Sequence, residues 1–380
     1  MKNKLQQYFP MIRTMDEVME AICAKEHLTA MFRRWTEPQR QEFLNFCTGV
    51  RGVKPMYDFI SKEILSPEYV PERVDELLSL LLGQEVHILE ALPNDSTRLA
   101  DESSLVIMDI VVQLEDGSIA NLEIQKIGYS FPGERSACYS ADLLLRQYKR
   151  ARSRRKEKFT YKDVKHVYTI VLFEKSPSGL RQFPDTYLHY FEQMSNTGLK
   201  VNLLQKYLFV PLDIFREIKQ NKDGTIEINN RLEAWLAFMC MDEPEAIITI
   251  IEKYPDFKAI YEQIYAICRN IEEVMGMFSE ELRIMDRNTV QLMIDEMQNE
   301  IDQKSELLSQ QNEQLNQKDK QLTHTAQQLK AEQQAGIINI IELCQELNTP
   351  SETAVQKLMQ KCFLSEDEAR QYMAIYWQES

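Results

Sequence analysis

The sequence predicts an α/β domain followed by a long helical tail, and three observations carry that reading. Between residues 71 and 173 the pattern runs helix, two alternating strands, helix, strand, a compact α/β order. From about Asn229 the apolar residues recur at helical spacing throughout. Within that stretch Ile294, Ile301, Leu308, Leu315, Leu322 and Leu329 repeat at intervals of seven. The chain then divides into an N-terminal helical region (1–50), the α/β domain (51–225), a helical subdomain (226–290), a coiled coil (291–333) and a C-terminal helical region (334–380).

Residues 1–50 read as amphipathic helix without identifiable chemistry. Residues 71–82 form a helix: Pro71 suits a first helical position, Val74, Leu77, Leu78, Leu81 and Leu82 make one apolar face, and Gly83 closes it. Two strands follow, Leu105–Leu114 and Ile119–Lys126, separated by Glu115-Asp116-Gly117-Ser118. A helix from about Gly133 to Arg154 leads to a strand over Val164–Phe173, ended by Pro177 and Gly179. Tyr207–Phe215 reads as a further strand, on an edge because of Pro211. The heptad series marks a coiled coil, although its companion positions Met297, Lys304, Gln311, Lys318 and Thr325 are mostly polar; a solvated spacer helix is the other reading. After Gly336 two short helices, about Ile337–Leu347 and Ser351–Gln360, precede a last one opened by Ser365-Glu-Asp-Glu, a capping box.

Composition narrows the chemistry. In the 380 residues no apolar run approaches a membrane span, and the basic residues of Met1–Tyr8 have no apolar stretch behind them, so a cytoplasmic protein without a secretory signal is expected. Seven scattered cysteines without a C-x-x-C pair suit a reducing compartment, and the five histidines are equally dispersed. Metal chemistry would therefore use oxygen ligands, which favours Mg²⁺ or Mn²⁺. The net charge of −15 argues against nucleic-acid binding by the whole surface. Between Lys126 and Lys165, however, 12 Lys/Arg face 4 acids, a local excess of +8. That run is either a phosphate-binding surface or a solvated helix end.

The chemistry centres on the hairpin. If Leu114 and Ser118 close a three-residue turn with Gly117 left-handed, paired residues sum to 232 and Asp109 lies opposite Glu123. Alternation then gives one apolar face (Val106, Met108, Ile110, Val112, Leu114, Ala120, Leu122, Ile124) and a half-buried one with Asp109, Asn121, Glu123 and Gln125 among Ile107 and Val111. A two- or four-residue loop would make the carboxylates diagonal neighbours instead. Facing carboxylates cost stability unless a cation joins them. Such a pair can hold Mg²⁺ with waters, one of which attacks a phosphodiester, with Gln125 placed to orient it. A salt-bridged sheet surface, with Arg135 or Arg146 on either acid, is the structural alternative. Along the next helix Arg135, Tyr139, Asp142 and Arg146 form one polar stripe.

The stretch Ile107-Met-Asp109 … Asn121-Leu-Glu123-Ile-Gln125, followed by Arg135-Ser-Ala-Cys-Tyr139 and Arg146-Gln-Tyr148, resembles the PD-(D/E)XK nuclease family transposases, or recombination-promoting nucleases, over roughly residues 50 to 290. The resemblance implies a restriction-endonuclease-like α-β-β-(β)-α-β core and a divalent-metal-dependent DNA endonuclease of the recombination or transposase type. It makes Asp109 and Glu123 the catalytic, metal-holding acids and puts Gln125 in the place of the motif lysine. Met108 stands where the motif has proline. Gln125 lacks the charge that would stabilise an attacking hydroxide, though glutamine recurs in this branch of the family. Glu72 or Glu76, on the 71–82 helix, would supply a further acid. Arg135, Tyr139, Arg146, Arg150, Arg152, Arg154 and Arg155 would contact double-stranded DNA without strong sequence preference. The coiled coil would make a homodimer. The competing readings are a catalytically silent DNA-binding relative and an interaction protein that works through its coiled coil.

Overall fold

A computed structural model describes residues 3–92, 110–126 and 133–377. The chain forms two compact units, Met1–Met293 and Ile294–Ser380. In the first, four helices (α1 Lys4–Tyr8, α2 Met15–Cys23, α3 Glu26–Arg34, α4 Glu37–Thr48) lead to α5 (Asp58–Ile64) and α6 (Pro71–Leu82). Then come β1 (Ile88–Ala91), β2 (Ile110–Leu114), β3 (Ile119–Gln125), α7 (Gly133–Arg155), β4 (Val167–Phe173), β5 (His189–Phe191) and β6 (Gln205–Pro211). Helices α8 (Leu212–Lys219), α9 (Arg231–Cys240), α10 (Pro244–Lys253) and α11 (Phe257–Ile267) follow, and α12 begins at Ile271.

The mixed α/β class expected from the sequence is observed. Among the described residues the sheet has the order β1-β2-β3-β4-β6-β5. Strand β3 pairs antiparallel with β2 and parallel with β4, and β4 pairs parallel with β6. The parallel step from β3 to β4 needs a crossover, which α7 supplies. Helix α6 forms where the apolar spacing places it: Pro71 opens it, Gly83 ends it at φ 65°, and Val74, Leu77, Leu78 and Leu81 are fully buried. Each of those side chains contributes about 1.5–3 kcal/mol.

One core joins α6, the sheet face of Ile110, Val112, Leu114, Ala120 and Leu122, the N-terminal helices and α9–α11. Phe278 of α12, fully buried, meets the rings of Trp35, Phe43, Phe46 and Tyr57. The sequence divisions 1–50, 51–225 and 226–290 thus fall inside one packed unit.

Three expectations require correction. The run read as an edge strand over Tyr207–Phe215 is two elements: β6 ends at Pro211 and α8 starts at Leu212. Strand β6 is interior, with β5 outside it, and proline is tolerated because it closes the strand and precedes the helix. The short strands β1 and β5 were not anticipated. The break expected at Gly336 is absent, since α12 runs unbroken from Ile271 to Glu346. One helical glycine costs about 1 kcal/mol, less than docking of Ile337 and Ile341 returns.

In the second unit those two residues and Cys344 pack on Ala354, Val355 and Leu358 of α13 (Ser351–Cys362) and on Ala369 and Met373 of α14 (Glu366–Tyr376). Ser365 caps α14 through the expected box with Glu368. Along α12 the heptad side chains Ile294, Ile301, Leu308, Leu315, Leu322 and Leu329 are 48–67% exposed.

Candidate active site

The turn forms as its residues dictate. Leu114 N–H donates to the Ser118 carbonyl (2.8 Å), Gly117 N–H donates to Leu114 (2.9 Å), and Gly117 takes φ 87°, which glycine adopts without strain. The pairs Ile110–Leu122, Val111–Asn121 and Val112–Ala120 follow, so the register is the expected one over the described residues. Asp109 itself lies outside them.

The chemical face is not half open to solvent, as alternation alone had suggested. Helix α7 covers it, and Val111, Ile119 and Val167 pack beneath Leu143. Gln147 sets the position of that helix: its Nε2 donates to the Gly117 carbonyl (2.7 Å), and its Oε1 accepts from Lys165 N–H (2.8 Å). The covering is close because α7 presents Ser136, Tyr139 and Ser140 to the sheet, all buried. Glu123 is therefore only 5% exposed, and Asn121 Nδ2 donates to its Oε1 at 3.0 Å. Gln125 is the last residue of β3 and is half-buried.

The polar stripe of α7 is organised within the helix. Arg135 Nε donates to the Tyr139 hydroxyl (2.5 Å), and Arg146 Nε pairs with Asp142 (2.8 Å). Tyr139 is buried and Arg135 half-buried, so the first pair belongs to the layer between helix and sheet. Beyond it Arg152, Arg154 and Arg155 are exposed and Arg150 is half-buried. Glu90 approaches Arg150 and Arg154 no nearer than 3.9 Å and 4.0 Å, and Asp163 stands 3.6 Å from Arg155. These pairs are loose and hold the guanidinium groups weakly, although Arg150 Nη1 is itself buried.

Of the two acids proposed on α6, Glu76 is engaged elsewhere. Glu76 accepts two hydrogen bonds from Arg231 (2.7 and 2.9 Å) and one from Trp235 Nε1 (3.0 Å), which makes it a structural anchor for α9. Glu72 is exposed in the first turn of α6.

A cluster that sequence reading missed fixes the end of β3. Lys126 donates to Asp58 at the start of α5 (2.6 Å) and to Glu281 on α12, and Glu281 also accepts the Asp58 N–H (2.9 Å). The Lys126 and Glu281 side chains are 10% and 1% exposed. Burial alone would lower the Lys126 pKa, but Glu281 and Asp58 hold it above the ordinary value. Nearby Glu174, whose N–H donates to the Gln125 carbonyl (2.8 Å), is pushed up by burial against the opposing pull of Lys54 and Lys126. The partners are 68 and 155 residues from Lys126, so no local pattern announces them.

As a metal site the described residues supply one buried carboxylate, Glu123, in an oxygen- and amide-lined layer. That donor chemistry fits a hard cation such as Mg²⁺ or Mn²⁺. Among the described residues no cluster of three His, Cys, Asp or Glu could hold a metal. No helix among them is long and apolar enough to cross a membrane.

Residues 55–291 match the family described as PD-(D/E)XK nuclease family transposase. No curated protein and no solved structure matches the chain.

Proposed function

The chain belongs to the PD-(D/E)XK nuclease family transposases, which implies a nuclease-type hydrolase, and from that premise we propose that it is a divalent-metal-dependent DNA endonuclease. The observation that carries the reading is Glu123: a carboxylate buried under α7, in a register whose paired residues sum to 232. A buried carboxylate is kept where charged or hydrogen-bonding groups gather around it, and a divalent cation fits among such groups.

Asp109 and Glu123 would hold Mg²⁺ or Mn²⁺, which when bound supplies an activated water and charge neutralisation at the phosphate. Glu123 is held ready by the Asn121 amide. Gln125, at the strand end, would orient such a water through its side-chain amide but brings no charge. Arg135 and Tyr139, near the start of α7, would flank the scissile phosphate. Arg146, Arg150, Arg152, Arg154 and Arg155 continue along α7 and bind the backbone of double-stranded DNA, which makes binding salt-dependent and indifferent to sequence.

We further propose that the chain self-associates as a homodimer through α12, because six exposed Ile/Leu side chains at heptad spacing have a second copy as their natural cover. The enzymatic reading is tested by nicking of supercoiled plasmid with Mg²⁺, with Mn²⁺ and with chelator. Metal-dependent nicking supports it. Salt-sensitive DNA binding without nicking favours a silent relative, and neither property leaves an interaction protein.

A further inference from the structure

The layer between α7 and the sheet is built against stability. Asn121 is fully buried, and since a carboxylate only accepts, its Nδ2 must face Glu123 (3.0 Å). Its Oδ1 is then buried without a partner. Its register neighbour on β4, Thr169, is also fully buried with an unpartnered Oγ1, and so is the Ser136 hydroxyl of α7.

The three are close in the fold. Helix α7 is pinned at Gln147 over Gly117 and Lys165. Going back along the helix to Ser136 covers about 16 Å at 1.5 Å per residue, the span of about five strand residues. That places Ser136 near the level of Asn121 and Thr169. The same scale puts Leu143 over Ile119 and Val167, with which it shares a cluster.

An unpartnered buried oxygen is costly, and an apolar side chain at position 121 would leave no such oxygen there. Sites that break local rules are where function is to be sought. We infer that Asn121 is a positioning residue: it fixes the orientation of the Glu123 carboxylate towards the metal. The inference rests on the nuclease reading and deepens it.

The test measures Mn²⁺ affinity of the full-length protein by calorimetry, without DNA, for wild type, Asn121→Leu, Asn121→Ser and Thr169→Val. Losing a residue that orients a ligand weakens metal binding or activity by about 10–100-fold. Both Asn121 variants are expected to fall in that range. Asn121→Ser carries the comparison if the leucine variant lacks a melting transition. Thr169→Val, which removes an unpartnered hydroxyl in the same layer without touching Glu123, is expected to bind Mn²⁺ as wild type does. Wild-type affinity in the Asn121 variants overturns the inference and leaves the nuclease reading standing. An equal loss in Thr169→Val also overturns it, by showing a general packing effect. A wild type that binds no Mn²⁺ overturns both.

Discussion

Replacing Lys126 by Met keeps the length of the side chain and removes its charge, which strands the Glu281 carboxylate, 1% exposed, with the Asp58 N–H as its remaining named donor. Asp58, with its side chain 35% exposed, can take up water and suffers less. Breaking a buried ion pair from one side costs about 3–5 kcal/mol, because the surviving charge stays desolvated. Removing the second charge should return part of that loss: Lys126→Met with Glu281→Gln should be less destabilised than the sum of the single variants by about 0.5–3 kcal/mol.

Urea unfolding of the four proteins at pH 7.5 measures both quantities. The pair's contribution should be flat through neutral pH. A lysine whose folded pKa is raised contributes fully below its unfolded value of about 10.4 and loses that contribution only as pH rises through the higher folded one. A Lys126→Met variant within 1 kcal/mol of wild type, or strict additivity in the double variant, would refute the claim that this cluster anchors the end of β3.

Glu174→Gln should be more stable than wild type at pH 8 and equal to it near pH 4. Burial raises the folded pKa of this carboxyl, so its favourable contribution exists below the unfolded value and is lost as pH climbs through the folded one; urea midpoints at the two pH values decide it. Replacing Arg150, Arg152, Arg154 and Arg155 by Ala should weaken binding to all DNA sequences alike and reduce the log–log salt slope by about 3–4 units, measured by fluorescence anisotropy; an unchanged slope would make the run mere solvated surface. Leu308→Asp with Leu315→Asp should convert a dimer to a monomer in sedimentation equilibrium, and a wild type that is already monomeric contradicts self-association through α12.

Much of this was legible because the informative features are local. The turn at Glu115-Asp116-Gly117 and strict alternation on either side determine the hairpin register, and Gly117 at φ 87° adopts the conformation the turn demands. Helix α6 carries its own start, face and stop signals. Leu212-Asp-Ile-Phe215 misled because a short apolar run after a strand continues it as plausibly as it begins a helix; only tertiary packing of Leu212 and Phe215 decides. Strands of three or four residues such as β1 and β5 are too short for periodicity to register.

The site divided in the same way. Glu123 and its face could be read from alternation, whereas its burial could not, because α7 is polar overall and its small residues at 136 and 140 do not advertise a buried face. Glu76 looked available until Arg231 and Trp235, more than 150 residues away in sequence, closed on it.

The central claim, that Asp109 and Glu123 hold a metal that cuts DNA, is tested most directly by Asp109→Asn and Glu123→Gln in one plasmid-nicking assay with Mn²⁺. The amides preserve size, and glutamine spares the Asn121 amide the empty space an alanine would leave. Both variants should keep a folded melting transition, lose nicking, and lose the rise in Tm that Mn²⁺ gives the wild type by binding its native state. Nicking by either variant at the wild-type rate would contradict the claim.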